Sequence, residues 1–279
     1  MTRILVTGAT GTIGGEVVSQ LERTGCQVRA MTRNPAAAAF SSHVEVVRGD
    51  LTDPDSLVAC VDGTAAVFLV WVAPVNAAAA AVETIARHAR RIVLLSAPHK
   101  TPHPFFQQPN PVRDLFVELE RVIEHSGVEW VFLRSGMFAA NALSWWAPQI
   151  LAGDAVRWPY LSAPTAPIHE HDVGAVAVRA LLDDGRAGRE YVLTGPESLT
   201  QLEQVATIGE AIGRRLRCEE LSREDAGREL SLPPMLLDAW AAALGRPALV
   251  TSTVADVTGT PARRFRHWAE HNAAKFQSR

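Results

Sequence analysis

The chain has 279 residues, 47% of them hydrophobic, and a formal net charge of −3. That length and composition sustain a large buried core, in one α/β domain or a domain with a small appendage. The slight acidity gives no basic footprint for nucleic acid, and no apolar run approaches the ~20 residues that span a bilayer.

Cys26, Cys60 and Cys218 are scattered without Cys-x-x-Cys spacing, which reads as reduced thiols in a cytoplasmic protein. The first residues already form a strand, so no signal peptide is expected. His169-Glu170-His171 is the one hint of a metal site. No further ligand cluster supports it, and no metal is expected.

The apolar run Ile4-Leu5-Val6 breaks directly into Gly8, Gly11 and Gly14, and an amphipathic segment follows. This is a strand, a tight glycine turn and a helix. Gly8 lets the chain turn sharply. Gly11 lets the backbone approach a pyrophosphate, and Gly14 lets the helix pack on the strand. The phosphates would lie at the helix N-terminus, where free N–H groups and the dipole favour negative charge. Thr10, Thr12 and Ile13 belong to the same expected cofactor turn.

Strands are expected at 3–7, 27–32, 44–48, 66–71, 91–96 and 129–134. Helices are expected between them at 11–24, 54–61, 74–89 and 112–126. This alternation argues for a parallel sheet with helices on both faces. Residues 97–111 carry five prolines and are expected to hold no regular structure. The loop follows a strand C-terminus, where open α/β sheets bind ligands. A helix rich in aromatics is expected at 141–151. Beyond it, Asp172 caps a helix to Leu182, a strand covers 190–194, and Thr200 and Glu203 form a capping box opening 200–212. A strand at 217–221 and helices at 222–230 and 234–244 complete the reading.

Several signatures agree along the chain. They are Thr7-Gly8-Ala9-Thr10-Gly11-Thr12-Ile13-Gly14, Thr32-Arg33-Asn34-Pro35, Gly49-Asp50-Leu51, Ser126-Gly127-Val128-Glu129-Trp130, Phe132-Leu133-Arg134-Ser135-Gly136, and Glu190-Tyr191-Val192-Leu193-Thr194-Gly195-Pro196. Together they resemble the NmrA-like family of atypical short-chain dehydrogenases/reductases. The match is specific over the first 140 residues and looser in the C-terminal third.

The resemblance implies an α/β fold: a Rossmann-like doubly wound parallel sheet at 1–140, with NAD(P) bound at the strand ends. A smaller C-terminal α/β substrate lobe is expected at 141–279, with some elements returning to the core. Asp50 and Leu51 would lie near the adenine, Val70 and Trp71 beside the adenine ribose, and Ser96 near the nicotinamide. The family holds both reductases of quinones or double bonds and redox-sensing regulators without demonstrated catalysis.

The choice of cofactor follows from charge. NAD sites usually carry Asp or Glu at the end of the second strand, to bond the ribose 2′-hydroxyl. Residues 30–34 hold no acid, and Arg33 stands there instead. Its guanidinium suits a 2′-phosphate, so NADP(H) is favoured, with NAD(H) as the alternative.

Many enzymes of the superfamily use a Tyr-x-x-x-Lys pair to protonate a developing alkoxide. The two tyrosines here, Tyr160 and Tyr191, have no lysine four residues on. If Glu120 aligns with the glutamate that often follows such a lysine, the pair is replaced by Val112 and Phe116. Two readings result. In the first, the protein reduces a quinone or an aromatic or polycyclic carbonyl, whose delocalised anion needs little acid help. Water, Ser96, His99 or Lys100 would supply the proton. In the second, it is a non-catalytic NAD(P) sensor or regulator of the NmrA type.

Phe105, Phe138, Trp145, Trp146 and Trp158 are the expected walls of a flat apolar pocket. For any one of them, packing the smaller lobe is the competing role. The chain's scarcity of lysine is that of a GC-rich genome, which suits a tailoring role on aromatic polyketides. The expected partners are a small aromatic or quinonoid substrate and a second copy in a homodimer, with no nucleic acid and no membrane.

Overall fold

The computed structural model describes residues 2–277. Eight elements alternate through its first third: β1 (Arg3–Val6), α1 (Thr12–Leu21), β2 (Gln27–Thr32), β3 (Val44–Arg48), α2 (Pro54–Val61), β4 (Ala66–Val70), α3 (Ala78–His88) and β5 (Arg91–Ser96). There follow α4 (Pro104–Gln107), α5 (Pro111–His125), β6 (Glu129–Ser135), α6 (Asn141–Trp145), α7 (Ala147–Ala152), β7 (Ala155–Pro159), β8 (Pro164–Thr165), α8 (Glu170–Leu182) and β9 (Arg189–Leu193). The last are β10 (Leu199–Thr200), α9 (Gln201–Ala211), β11 (Arg217–Leu221), α10 (Arg223–Leu230), α11 (Pro234–Ala243), α12 (Thr253–Thr258) and α13 (Phe265–His271).

The chain forms two compact units that interleave in sequence. The first comprises residues up to Ala97, then Pro111–Ser135 and Glu170–Tyr191; the second comprises Pro98–Asn110, Gly136–His169 and the chain from Val192. The seven-stranded sheet has the order β3-β2-β1-β4-β5-β6-β9. Its pairings from β3 through β6 are all parallel. The order reverses between β1 and β4, as in a doubly wound Rossmann fold. Ile4, Leu5, Val67, Phe68, Leu69, Ile92, Val93 and Leu94 are fully buried, as strands covered on both faces must be. On one face, α2, α3 and α5 pack a core containing Leu57, Val82, Ile85, Leu119 and Ile123. α1 and α8 pack together, and Gly174 admits Glu16 and Gln20 so closely that a Cβ there would lie 2.7 Å from Gln20 Nε2.

The second unit is built around another apolar cluster. Trp146, Trp158, Trp240, Phe265 and Trp268 are at most 1% exposed within it. Two short sheets brace it, β7 with β11 in parallel and β8 with β10 antiparallel.

Three expectations need correction. The proline-rich loop holds a helical turn, α4, because Pro104 takes the first helical position and the His103 side chain accepts from Phe105 N–H. The aromatic helix at 141–151 is broken into α6 and α7 at Trp146, next to Pro148. The helix expected from Asp172 begins at Glu170, so Asp172 lies in its first turn and is 1% exposed. β7, β8, β10, α12 and α13 have no counterpart in the sequence reading.

Candidate functional site

The glycine turn joins β1 to α1. Gly8 sits at φ +57°, a left-handed conformation that suits glycine, and a Cβ on it would lie 2.9 Å from that of Val70. Thr7 ties the turn to the sheet: its hydroxyl donates to Val70 O at 3.1 Å and accepts from Val70 N–H at 2.8 Å. Gly11 N–H donates to Gly8 O at 2.9 Å and closes the turn. A Cβ on Gly14 would stand 2.2 Å from Gly8 O, so no other residue fits between helix and turn.

Gly11 differs from both. Its backbone is extended, at φ −87° and ψ 174°, and a Cβ there would meet only Gly8 O at 3.3 Å. A Cβ there would be tight against that one backbone oxygen, a far smaller clash than at Gly14. α1 has no side-chain cap and no acid in its first turn. Its leading N–H groups are left for an anion.

The turn forms one wall of a cleft of about 530 Å³ in the first unit. Of the expected cofactor residues, Gly8, Thr10, Gly11, Arg33, Asp50, Leu51 and Val70 line it. Thr12 is exposed at the helix start, while Ile13 and Gly14 are buried in its packing. Trp71 and Ser96 are buried, 6% and 5% exposed, and lie outside the cleft lining. Met31, Asn34, Thr52, Ala73 and Pro74 also line it and were not among the expected cofactor residues. Their signal was positional, since each follows or ends a parallel strand.

Arg33 is exposed at the mouth beyond β2. Asp50 is fixed by Thr52, whose N–H and hydroxyl both donate to Oδ1 at 2.8 Å. Those two bonds, with a smaller contribution from the Arg33 charge, hold the Asp50 carboxyl below the usual carboxylate range. The cleft thus offers free N–H groups, a guanidinium and a carboxylate, among threonine and asparagine side chains and the apolar Met31, Leu51 and Val70. That combination fits the phosphates, the 2′-position and the adenine ring of a dinucleotide.

At the end of β5, Ser96 Oγ lies 2.6 Å from Glu120 Oε1 of α5. Val112 on the same helix is 47% exposed, and Phe116 packs against the core.

In the second unit, His99 is buried and Lys100 exposed. α4 turns Phe105 toward the lobe core and sets Phe106 edge-on to it, with ring centroids 5.0 Å apart. His103 Nε2 donates to Pro247 O at 3.1 Å. A cavity of about 10 Å³, the room of a single water, lies among His103, Phe106, Met137, Thr194 and Leu249. Phe138 and Trp145 are half-buried. Trp146 and Trp158 depart from the pocket expectation. They are 0% and 1% exposed, with centroids 5.9 Å apart, and they pack the lobe with Trp240. Apolar rings of that size contribute most when wholly removed from water.

The NAD(P)H-binding family model matches residues 8–184, more than half of the chain. The chain belongs to the NAD(P)H-binding family. This bears out the resemblance to the NmrA-like atypical short-chain dehydrogenases. The chain is similar to the (4-alkanoyl-5-oxo-2,5-dihydrofuran-3-yl)methyl phosphate reductase of Streptomyces griseus subsp. griseus, with 37% identity over 98% of this chain and 99% of that one. It is 32% identical to the NAD(P)H azoreductase of Xenophilus azovorans, over 98% and 99% of the two chains. Among solved structures, the quinone oxidoreductase QOR2 of Escherichia coli complexed with NADPH shares the fold. Its TM-score is 0.79 at 24% identity, covering 96% of this chain and 99% of that one. No described helix is long and apolar enough to cross a membrane, and among the described residues no group of three or more His, Cys, Asp or Glu could hold a metal ion.

Proposed function

We propose that the protein is an NADPH-dependent reductase of a quinone or a related aromatic or polycyclic carbonyl compound. The observation that carries this reading is the glycine turn, which lines the cleft at Gly8, Thr10 and Gly11 beside the uncapped start of α1. The similar proteins support the chemistry. The dihydrofuranylmethyl phosphate enzyme and the azoreductase are named as reductases, and the quinone enzyme as an NADPH-dependent oxidoreductase. Quinones and unsaturated lactones bearing an acyl group share one property: the anion formed on hydride addition is delocalised. Little acid assistance is then needed, and the one proton that completes the reduction comes from solvent.

When bound, the reduced nicotinamide supplies the hydride. The chain's own residues bind and orient. α1 receives the phosphates at its N-terminus, Asp50 and Leu51 border the adenine, and Arg33 meets the 2′-phosphate.

The test is to follow absorbance at the reduced-nicotinamide band with NADPH and a panel of polycyclic quinones. Turnover above the uncatalysed rate is expected. Quinones that bind without oxidising either NADPH or NADH would sink the reductase reading and leave the redox-sensor reading in its place.

The cofactor preference has its own test. Arg33→Ala is expected to weaken NADPH by about 10-fold or more, roughly the loss of one charge-assisted pair, and NADH by less than about twofold. Calorimetric titration with both nucleotides measures this. Equal losses would show that Arg33 does not read the 2′-phosphate.

A further inference from the structure

The cavity of about 10 Å³ lies wholly within the second unit. Its floor, with Thr165, Ala166 and Thr194, is buried, and its rim, with Phe106, Met137 and Leu249, is half-buried.

Three polar side chains border this space, and two of them are spent. Thr194 Oγ1 donates to Gly195 O and accepts from Thr251 N–H, both at 2.9 Å. His103 accepts from Phe105 N–H at Nδ1 and donates to Pro247 O from Nε2. Thr165 differs. Its Oγ1 accepts from Gln204 Nε2 of α9 at 2.8 Å, and the same nitrogen donates to Leu199 O at 3.0 Å. A carbonyl oxygen can only accept, so Leu199 fixes which end of the Gln204 amide faces Thr165. The Thr165 hydroxyl therefore accepts there, and its own hydrogen has no acceptor among the described residues. Thr165 is 7% exposed and Gln204 3%. A hydroxyl hydrogen so far from water calls for a partner.

The surroundings say what kind. The arriving group must offer an acceptor to Thr165. A carbonyl does so and brings no hydrogen that needs an acceptor in return, as a hydroxyl would. Its oxygen takes about the space of one water, which is the room on offer. What adjoins the oxygen must be apolar, since the rim is Phe106, Met137 and Leu249. Resting on the reading that the protein reduces a quinone or an aromatic carbonyl compound, we infer that this cavity is a subsite for a short acyl substituent of the substrate. The acyl oxygen accepts from the Thr165 hydroxyl, and the alkyl end lies at the apolar rim. Gln204 is a positioning residue: it holds Thr165 with its hydrogen free.

Two probes of one shape test this without turnover. They are 2-acetylnaphthalene and 2-isopropenylnaphthalene, in which CH₂ replaces the carbonyl oxygen. Equilibrium dialysis against the full chain measures each. The acetyl probe is expected to bind about 10-fold tighter, one hydrogen bond's worth. Thr165→Val keeps the size and removes the hydroxyl, and is expected to bring the two probes within about twofold. Thr165→Ser keeps the hydroxyl and is expected to retain the preference. NADPH affinity is expected to stay the same in both variants. Should Thr165→Val not fold, Leu249→Ala tests the rim instead. It is expected to favour 2-propanoylnaphthalene over the acetyl probe by about fourfold more than the unaltered protein does, the worth of one buried CH₂.

A preference that survives in Thr165→Val would overturn the inference. So would no preference in the unaltered protein, which would mark the cavity as the place of a water only, or an unchanged ranking in Leu249→Ala. Quinone turnover is scored separately. If the probes separate as expected and no quinone oxidises NADPH, the acyl site stands as a ligand site and the reductase reading fails. If quinones turn over and the probes do not separate, the reductase reading stands and the acyl subsite fails.

Discussion

Gly11→Val is expected to lower NADPH affinity by at least about 100-fold, close to 3 kcal/mol, while the melting temperature falls by no more than about 4 °C. The asymmetry follows from the local geometry. Gly11 has ordinary extended dihedrals, so valine can adopt its backbone without strain. Its Cβ would press only on Gly8 O, at 3.3 Å, and a shift of a few tenths of an ångström relieves that contact. The branched side chain would then project into the cleft that Gly11 lines. Calorimetry and a thermal melt on one preparation measure both effects. Wild-type affinity in the variant would remove the glycine turn from the site. Gly14 cannot serve the same purpose, because even an alanine methyl would stand 2.2 Å from a backbone oxygen, and lost binding would then reflect lost structure.

The first six strands were legible in the sequence to within a residue or so. The central ones are short apolar runs buried on both faces, bounded by glycine, proline or a charged turn. Such runs depend little on what lies far away in the chain. The glycine turn was legible for the same reason, since its constraints act between residues at most a few positions apart.

The cleft floor was less so. Met31, Thr52 and Pro74 converge there because the parallel register brings the ends of β2, β3 and β4 to one edge, a long-range fact that a local pattern does not contain. The hydrogen bonds that Glu120 receives from Ser96 and Arg134 are similar: their partners lie 24 and 14 positions apart, and Glu120 drew notice only through an alignment to a missing lysine. In the second unit the strands have as few as two residues, too short for any periodicity to register. The tryptophans misled for a related reason. An indole looks alike in sequence whether it walls a pocket or fills a core, and burial decides which.

That distinction gives the second large effect. Trp158→Ala is expected to destabilise the protein by about 3–5 kcal/mol, the usual cost of deleting a large aromatic from a packed interior. Trp158 is 1% exposed and touches three other indoles, with ring centroids 5.7 to 5.9 Å away. Its Nε1–H donates to Gln201 Oε1 at 2.6 Å, so truncation also leaves a buried amide oxygen short of a partner. Trp145→Ala, at the half-buried edge of the same cluster, should cost less than half as much, because part of its surface is already in water. Urea unfolding followed by tryptophan fluorescence and by far-ultraviolet circular dichroism measures both variants. A ligand-pocket role would give the opposite pattern, with Trp158→Ala changing substrate KM several-fold at a stability cost under about 1 kcal/mol. That outcome would return Trp158 to the substrate site and show that the cluster closes over a cavity which the bound ligand opens.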